Sequence, residues 1–508
     1  MTNSKFRAAL LIGTAAVTLA GCGADDVASP GEGNIVVIPA PPAPPPPAPP
    51  PPPPPSSGPA DSCPAGTTDA GVIANNRACQ LPSLITSTLT LQDLDGVIYA
   101  MNGRVEVGVD VGGDGNEAGG DPASLNIDPG VTIFAQSAAT FLVVNRGSQI
   151  NANGSDTAPI IMTSRQNILG NSTDADSNQW GGVLILGRAP ISNCIGNVQG
   201  GSADCQQLAE GAGPDDFYGG DAATDDSGTF RYVQLRYTGQ ASSPNRELQG
   251  LTLAGVGRNT TVEYVQSHNS GDDGIEIFGG GVNLRYILIT GADDDGYDTD
   301  LGYVGATQFM INVQRPNAGD TSWEIDSDDD SAFDATPRQD AKLANFTFIH
   351  RKADDKAIHL RGGPDITFLN GVVVGTGFCL DVDTAESVQT SGPDENGPPV
   401  FRSVIFDCDV EAFDSDGDNF EAVAFNASGD ANNDRDYNNT LSSIFINGNA
   451  ENGVDAVANI TSFSSFFTQV DYIGAVRDAN DTWYRNWSCN ASYVSFSAPV
   501  ACVDSPAS

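Results

Sequence analysis

The sequence predicts an all-β protein, a right-handed parallel β-helix, and three observations carry that reading. Short apolar runs recur from about residue 80 onward (LNI, VTIF, FLVV, IIMT, GVLIL, VEYV, IEIF, LRYILI, FMINV, FTFI, ITFL, SVIF), separated by Gly, Asn and Asp, and no long 3.6-residue period appears. Several runs are apolar at successive positions, as in strands buried on both faces. The third observation is a repeat: Tyr264 leads to Asp272-Asp273-Gly274, and 22 residues on Tyr286 leads to Asp294-Asp295-Gly296. Fixed-period self-similarity marks a solenoid. Neighbouring coils lie about 4.8 Å apart, so residues 22 apart become vertical neighbours.

Taken in chain order, residues 1–21 read as a signal peptide. Lys5 and Arg7 form a basic start, and the apolar run Ala8–Ala20 is too short to span a bilayer. The segment ends in Leu19-Ala20-Gly21-Cys22, which resembles the lipobox of bacterial lipoproteins. That resemblance implies cleavage before Cys22 and its acylation, which would hold the protein on a membrane. Gly23 after Cys22 favours the outer membrane, and Asp25 and Asp26 hint at surface export. Residues 22–60 form the lipidated N-terminus and a Pro-rich linker. The stretch 39–59 is nearly all proline and extends roughly 60 Å as a polyproline II stalk.

Residues 61–124 are expected to form an N-terminal cap region, 125–460 the β-helix, and 461–508 a C-terminal capping segment over the open end of the coil. Within the body, Arg231-Tyr232-Val233, Glu263-Tyr264-Val265 and Arg285-Tyr286-Ile287 align as one strand type. Asn345-Phe346 and Thr367-Phe368 look like later members, and the aromatic rings would stack as an interior or flank ladder. Insertions at 192–229, 240–250, 314–322 and 384–399 should emerge as loops on one face, often the binding face. Apart from Cys22, eight cysteines remain, in four close pairs: Cys63 and Cys79, Cys194 and Cys205, Cys379 and Cys408, Cys489 and Cys502. In an exported chain they read as nearest-neighbour disulfides, although sequence alone does not fix connectivity.

Charge narrows the partners. The chain has 65 Asp+Glu against 23 Lys+Arg, a net −42, which repels nucleic acid and favours cations. Coil stacking sets Asp272 and Asp273 beneath Asp294 and Asp295, Glu276 beneath Asp298 and then Glu324, and Asp300 near Asp326. Stacked carboxylates repel unless neutralised, and Ca2+ accepts six to eight oxygens from carboxylates and loop carbonyls. The expected metal ligands are therefore Asp272, Asp273, Glu276, Asp294, Asp295 and Asp298. The alternative is that these are solvated turn residues. Two further acidic clusters follow, Asp326 to Asp330 and DSDGDNFE at 414–421. The second has Asp414, Asp416 and Asp418 at EF-hand-like spacing, but Asn419 replaces the loop glycine and Phe425 stands where a bidentate Glu belongs. His268, His350 and His359 read as core or turn residues, although stacking could bring His350 and His359 near the acidic corner.

The strings VIYAMNGRVEVG, LNIDPGVTIFA, WGGVLILGRAPI, GVGRNTTVEYVQSHNSGDDGIEIFGGGVNLRYILITGADDDGYDTDLGY and VDYIGAVRDANDTWYRNW resemble a family of Gram-negative outer-membrane lipoproteins with a β-helix body. The resemblance implies fold and location, and association with a TonB-dependent receptor; it implies little about chemistry. The expected function is a lipid-anchored, calcium-stabilised, non-catalytic surface protein that binds a glycan or nutrient or assists a receptor. Exposed Trp180, Trp323, Trp483 or Trp487 would support glycan binding. One alternative is a calcium-dependent polysaccharide lyase, with Arg285, Lys356 or Arg361 as the base. The other is a structural or adhesive surface protein.

Overall fold

In the computed structural model, residues 58–507 are described, apart from 197, 242–246, 317, 328–332, 416 and 430. The signal peptide, Cys22 and the proline stalk lie outside the described residues, as do Asp328, Asp330 and Asp416.

The chain winds as a parallel β-helix. One sheet runs through the long strands Gly228–Arg236, Thr261–His268, Asn283–Thr290, Ala306–Val313, Lys342–His350, Thr367–Gly375 and Val400–Cys408. A second runs through the short strands Leu251–Ala254, Ile275–Phe278, Tyr297–Asp300, Trp323–Asp326, Lys356–Arg361 and Phe378–Val382. The 22-residue step is direct: Thr261 pairs with Asn283, and Ile275 with Tyr297. Other coils are longer because the insertions leave between strands.

Each long strand bends once. Tyr232, Tyr264, Tyr286, Phe309, Asn345, Asn370 and Ser403 all have φ between 51° and 62°, one per coil. The bend splits the strand into two faces, and the short strand supplies the third. Before the bend Asn153 pairs with Arg231, and after it Ile160 pairs with Val233. Val233, Val265, Ile287, Met310 and Phe346 follow the bend as a buried column inside the coil. The bend residues themselves point outward, so the aromatic ladder is on the flank. Tyr232, Tyr264, Tyr286 and Phe309 stack at 4.2, 4.4 and 5.0 Å. Phe309 belongs to the ladder and Phe346 does not. Thr367-Phe368 is also out of place, because Phe346 pairs with Gly371 while Phe368 pairs with Leu343.

Coil stacking begins earlier than expected. Arg77 already pairs in parallel with Val97, and Leu84 with Glu106, so residues 61–124 contain the first coils as well as a cap. The cap is the antiparallel hairpin of Thr68–Ile73 with Asn76–Gln80, tied by the Cys63–Cys79 disulfide. The far end is closed by the helix Phe420–Asn426. Phe425, which occupies the would-be calcium position of the 414–421 motif, packs 4.8–5.6 Å from Phe401, Phe406 and Phe413. All four neighbouring cysteine pairs are disulfides.

The C-terminal segment does not cover that end. It runs back along the bent flank to the first coils. The Ser403 hydroxyl donates to the Asp455 carbonyl, and Gln308 exchanges two 2.8 Å hydrogen bonds with the Thr468 backbone. Gln266 likewise donates to the Cys489 carbonyl at 3.0 Å and accepts from its amide at 2.8 Å, and Asn76 donates to the Ala507 carbonyl at 2.8 Å. Trp487 and Trp483 lie against the tyrosine ladder. The reason is apolar: the flank exposes the tyrosines with Leu288, Ile311 and Val374, and the segment buries them under Phe445, Tyr484, Trp487 and Phe496.

Candidate functional site

The acidic corner lies where the long strands turn into the short ones. Gly274 and Gly296 let successive coils close tightly there. A Cβ on Gly274 would come within 2.5 Å of the Gly296 carbonyl, and one on Gly296 within 1.8 Å of the Asn312 amide. This is why the motif reads Asp-Asp-Gly. The Gly274 amide donates to the Asp295 carbonyl, and the Asp295 amide donates to the Asp273 carboxylate at 2.9 Å. Asp272/Asp273 and Asp294/Asp295 are therefore vertical neighbours, as the repeat implies.

From the corner a column of polar side chains runs up the short-strand sheet. Glu276 pairs with Asp298, Asp298 with Glu324, Glu324 with His359, and His359 with Asp381. Asp273, Glu276 and Asp298 are all buried, and each offers a carboxylate oxygen within 4.8 Å of the others. Asp272, Asp273 and Asp294 form a second such trio that opens to solvent, and Asp294, Asp295 and Asp320 a third. Two carboxylates at that spacing repel by about 3–4 kcal/mol at an effective dielectric near 20. Glu276 Oε2 and Asp298 Oδ1 are buried with no hydrogen-bond partner. Burial, reinforced by neighbouring carboxylates, pushes Asp273, Glu276, Asp295 and Asp298 well above the usual carboxylate range and Asp272 to about 7. The donor set is all oxygen, which suits a hard divalent cation.

The insertions supply what the repeat alone does not reveal. Glu210 from 192–229 and Glu247 from 240–250 line the same groove, and Asp320 comes from 314–322. The groove carries eleven carboxylates, with Arg361 as its one cationic side chain among the described residues. No sequence signal marked Glu210 or Glu247, because both lie outside the repeat.

The three basic candidates separate. Arg361 lines the groove, 3.0 Å from Asp326 and 3.5 Å from Glu324. Lys356 lies on the same strand, 3.5 Å from Asp355. Arg285 is elsewhere: it donates to the Phe466 carbonyl and lies over the Phe466 ring under the C-terminal segment. Of the histidines, only His359 joins the acidic column. His350 pairs with Gly375 in the long-strand sheet, and His268 is buried against Thr290. The tryptophans offer no exposed platform, since Trp180, Trp323 and Trp487 are buried and Trp483 is half-buried.

A family model described as a pectate-lyase like beta helix domain matches residues 114–462. The chain belongs to this family. The match takes in the whole acidic corner and all four insertions. The first coils and most of the returning C-terminal segment lie outside it. No curated protein and no solved structure matches the chain.

Proposed function

We propose that this β-helix is a calcium-dependent binding protein, displayed from the outer membrane by an acylated Cys22 and the proline stalk. The observation that supports it best is the buried trio Asp273, Glu276 and Asp298, with two carboxylate oxygens lacking any partner. Ca2+ there would neutralise the stacked coils. The neighbouring trio of Asp272, Asp273 and Asp294 faces solvent and would leave a bound ion with open coordination for a ligand carboxylate, as on an acidic glycan. Assistance to a TonB-dependent receptor belongs to the same reading, with the long stalk giving reach. Among the described residues, no helix is long and apolar enough to cross a membrane.

The lyase reading draws support from Arg361, which stands in the groove. Its pairing with Asp326 and Glu324 disfavours it as a base, because an arginine so held keeps its proton. One experiment separates the readings. Polygalacturonate or alginate is incubated with the protein with and without Ca2+, and both retention and ultraviolet absorbance of unsaturated products are followed. Calcium-dependent retention without absorbance supports the binder. Absorbance lost in Arg361→Ala would replace it with the lyase. Calcium that leaves both retention and thermal stability unchanged would remove the ion from the proposal.

A further inference from the structure

Three rungs above the corner, the column changes chemistry, because His359 brings a nitrogen. Its Nδ1 is 3.0 Å from Glu324 Oε1, and its Nε2 is 3.0 Å from Asp383 Oδ2 and 3.7 Å from Asp381 Oδ2. His359, Asp381 and Asp383 each offer a ligand atom within 4.8 Å of the others. Phe413 bridges Leu380 in parallel, which places Asp414 on the next rung beyond Asp381.

A neutral imidazole has one N–H. When Nδ1 donates it to Glu324, the Nε2 lone pair is left facing two carboxylates, an arrangement that either a second proton on Nε2 or a metal cation in between relieves. A histidine that ligates a metal through one nitrogen commonly donates the other N–H to a carboxylate, and Glu324 stands in that position. Glu324 in turn is braced by Arg361 at 3.5 Å. The nearby Lys356 is held by Asp355.

We propose that His359 Nε2, Asp381 and Asp383 bind a divalent transition-metal ion such as Zn2+, with Glu324 as the positioning residue for the imidazole. One nitrogen with carboxylate oxygens fits borderline metals, whereas the all-oxygen corner fits calcium. The site is independent of the calcium reading: it uses different ligands, and either stands if the other fails. It also gives a role to Asp414, which the acidic motif at 414–421 supplies beside the site.

The chain has three histidines, so imidazole NMR resolves the test. Zn2+ is titrated into the full chain at pH 7 with saturating Ca2+. The expected result is a stoichiometric change in the Nε2 resonance of His359 alone, with His268 and His350 as internal references. Glu324→Gln should weaken Zn2+ binding by about 10–100-fold. Asp383→Asn, at a half-exposed side chain, should weaken it at least as much while leaving the Ca2+-induced melting shift intact. It serves as the second variant should His359→Gln fail to fold. If His359 stays unshifted at equimolar Zn2+, or Asp383→Asn binds Zn2+ as tightly as the parent, the site is a protonated imidazole between carboxylates and the proposal falls.

Discussion

Glu276 and Gly274 show how much of this molecule depends on single positions. Glu276 is buried, and one of its carboxylate oxygens has no partner. Without a cation its charge costs stability, and with one it contributes. Glu276→Gln should therefore raise the melting temperature in chelator and shrink the gain on adding Ca2+, a crossing pattern that calorimetry detects. A purely structural carboxylate would instead lose stability in both conditions. Gly274 tests the stacking itself. An added methyl meets the Gly296 carbonyl and Ile289 at 2.5 Å, and backbone of that kind yields little. Gly274→Ala should cost about 1–3 kcal/mol by denaturant unfolding. The Asp-Asp-Gly repeat made these positions legible in the sequence, because the chemistry of a close corner dictates both residue types. Nothing comparable marked His359 as a rung between Glu324 and Asp381: the coils on either side are 35 and 22 residues long, and the period that guides the eye is broken there.

The returning C-terminal segment is an element without a strand of its own, held by side chains of the coils it crosses. Gln266 binds both the amide and the carbonyl of Cys489 in a buried setting. Gln266→Ala leaves both groups unpaired and should cost about 1–3 kcal/mol. Limited proteolysis should then cut within 441–507 before the body. The sequence suggested a cap at this place because an open coil end needs one. It could not show that the helix Phe420–Asn426 already fills that end, freeing the segment to cover the tyrosine ladder. A second insertion is pinned differently. Asp365 is pushed up to about 8 by burial and by its hydrogen bond to Glu395 of the 384–399 insertion. Folded Asp365 therefore keeps its proton across a range where the unfolded chain, ionising near 4, has lost it. The contribution is complete below about pH 4 and is lost as pH rises towards 8, at a slope of at most about 1.4 kcal/mol per unit. Asp365→Asn should remove that slope, so its melting temperature should gain on the parent between pH 5 and 8. Parallel curves would sink the shared-proton account.

A parallel solenoid transmits a neutralised corner to its neighbours, because every coil packs only against the one above and below. The chain's fold was readable from strand runs and one clean 22-residue step, and the register held as far as Asp298 beneath Glu324; beyond Trp323–Asp326 it was not readable, since loop lengths vary where insertions leave. Those insertions converge on the corner: Glu210, Glu247 and Asp320 come from three separate loops. Removing a cation should therefore act on loops and coils together. In chelator, the middle coils should open first. Hydrogen exchange at Asp273–Glu276 and Asp295–Asp298 should speed up more than at the Cys63–Cys79 hairpin or in the Phe425 cluster. Calcium at one hundred times its dissociation constant should restore about 2.7 kcal/mol. Magnesium, which demands rigid octahedral geometry and keeps its waters, should restore less. Uniform exchange along the axis, indifferent to calcium, would mean that the stacked acids are tolerated by protonation alone and that the groove is not built around an ion.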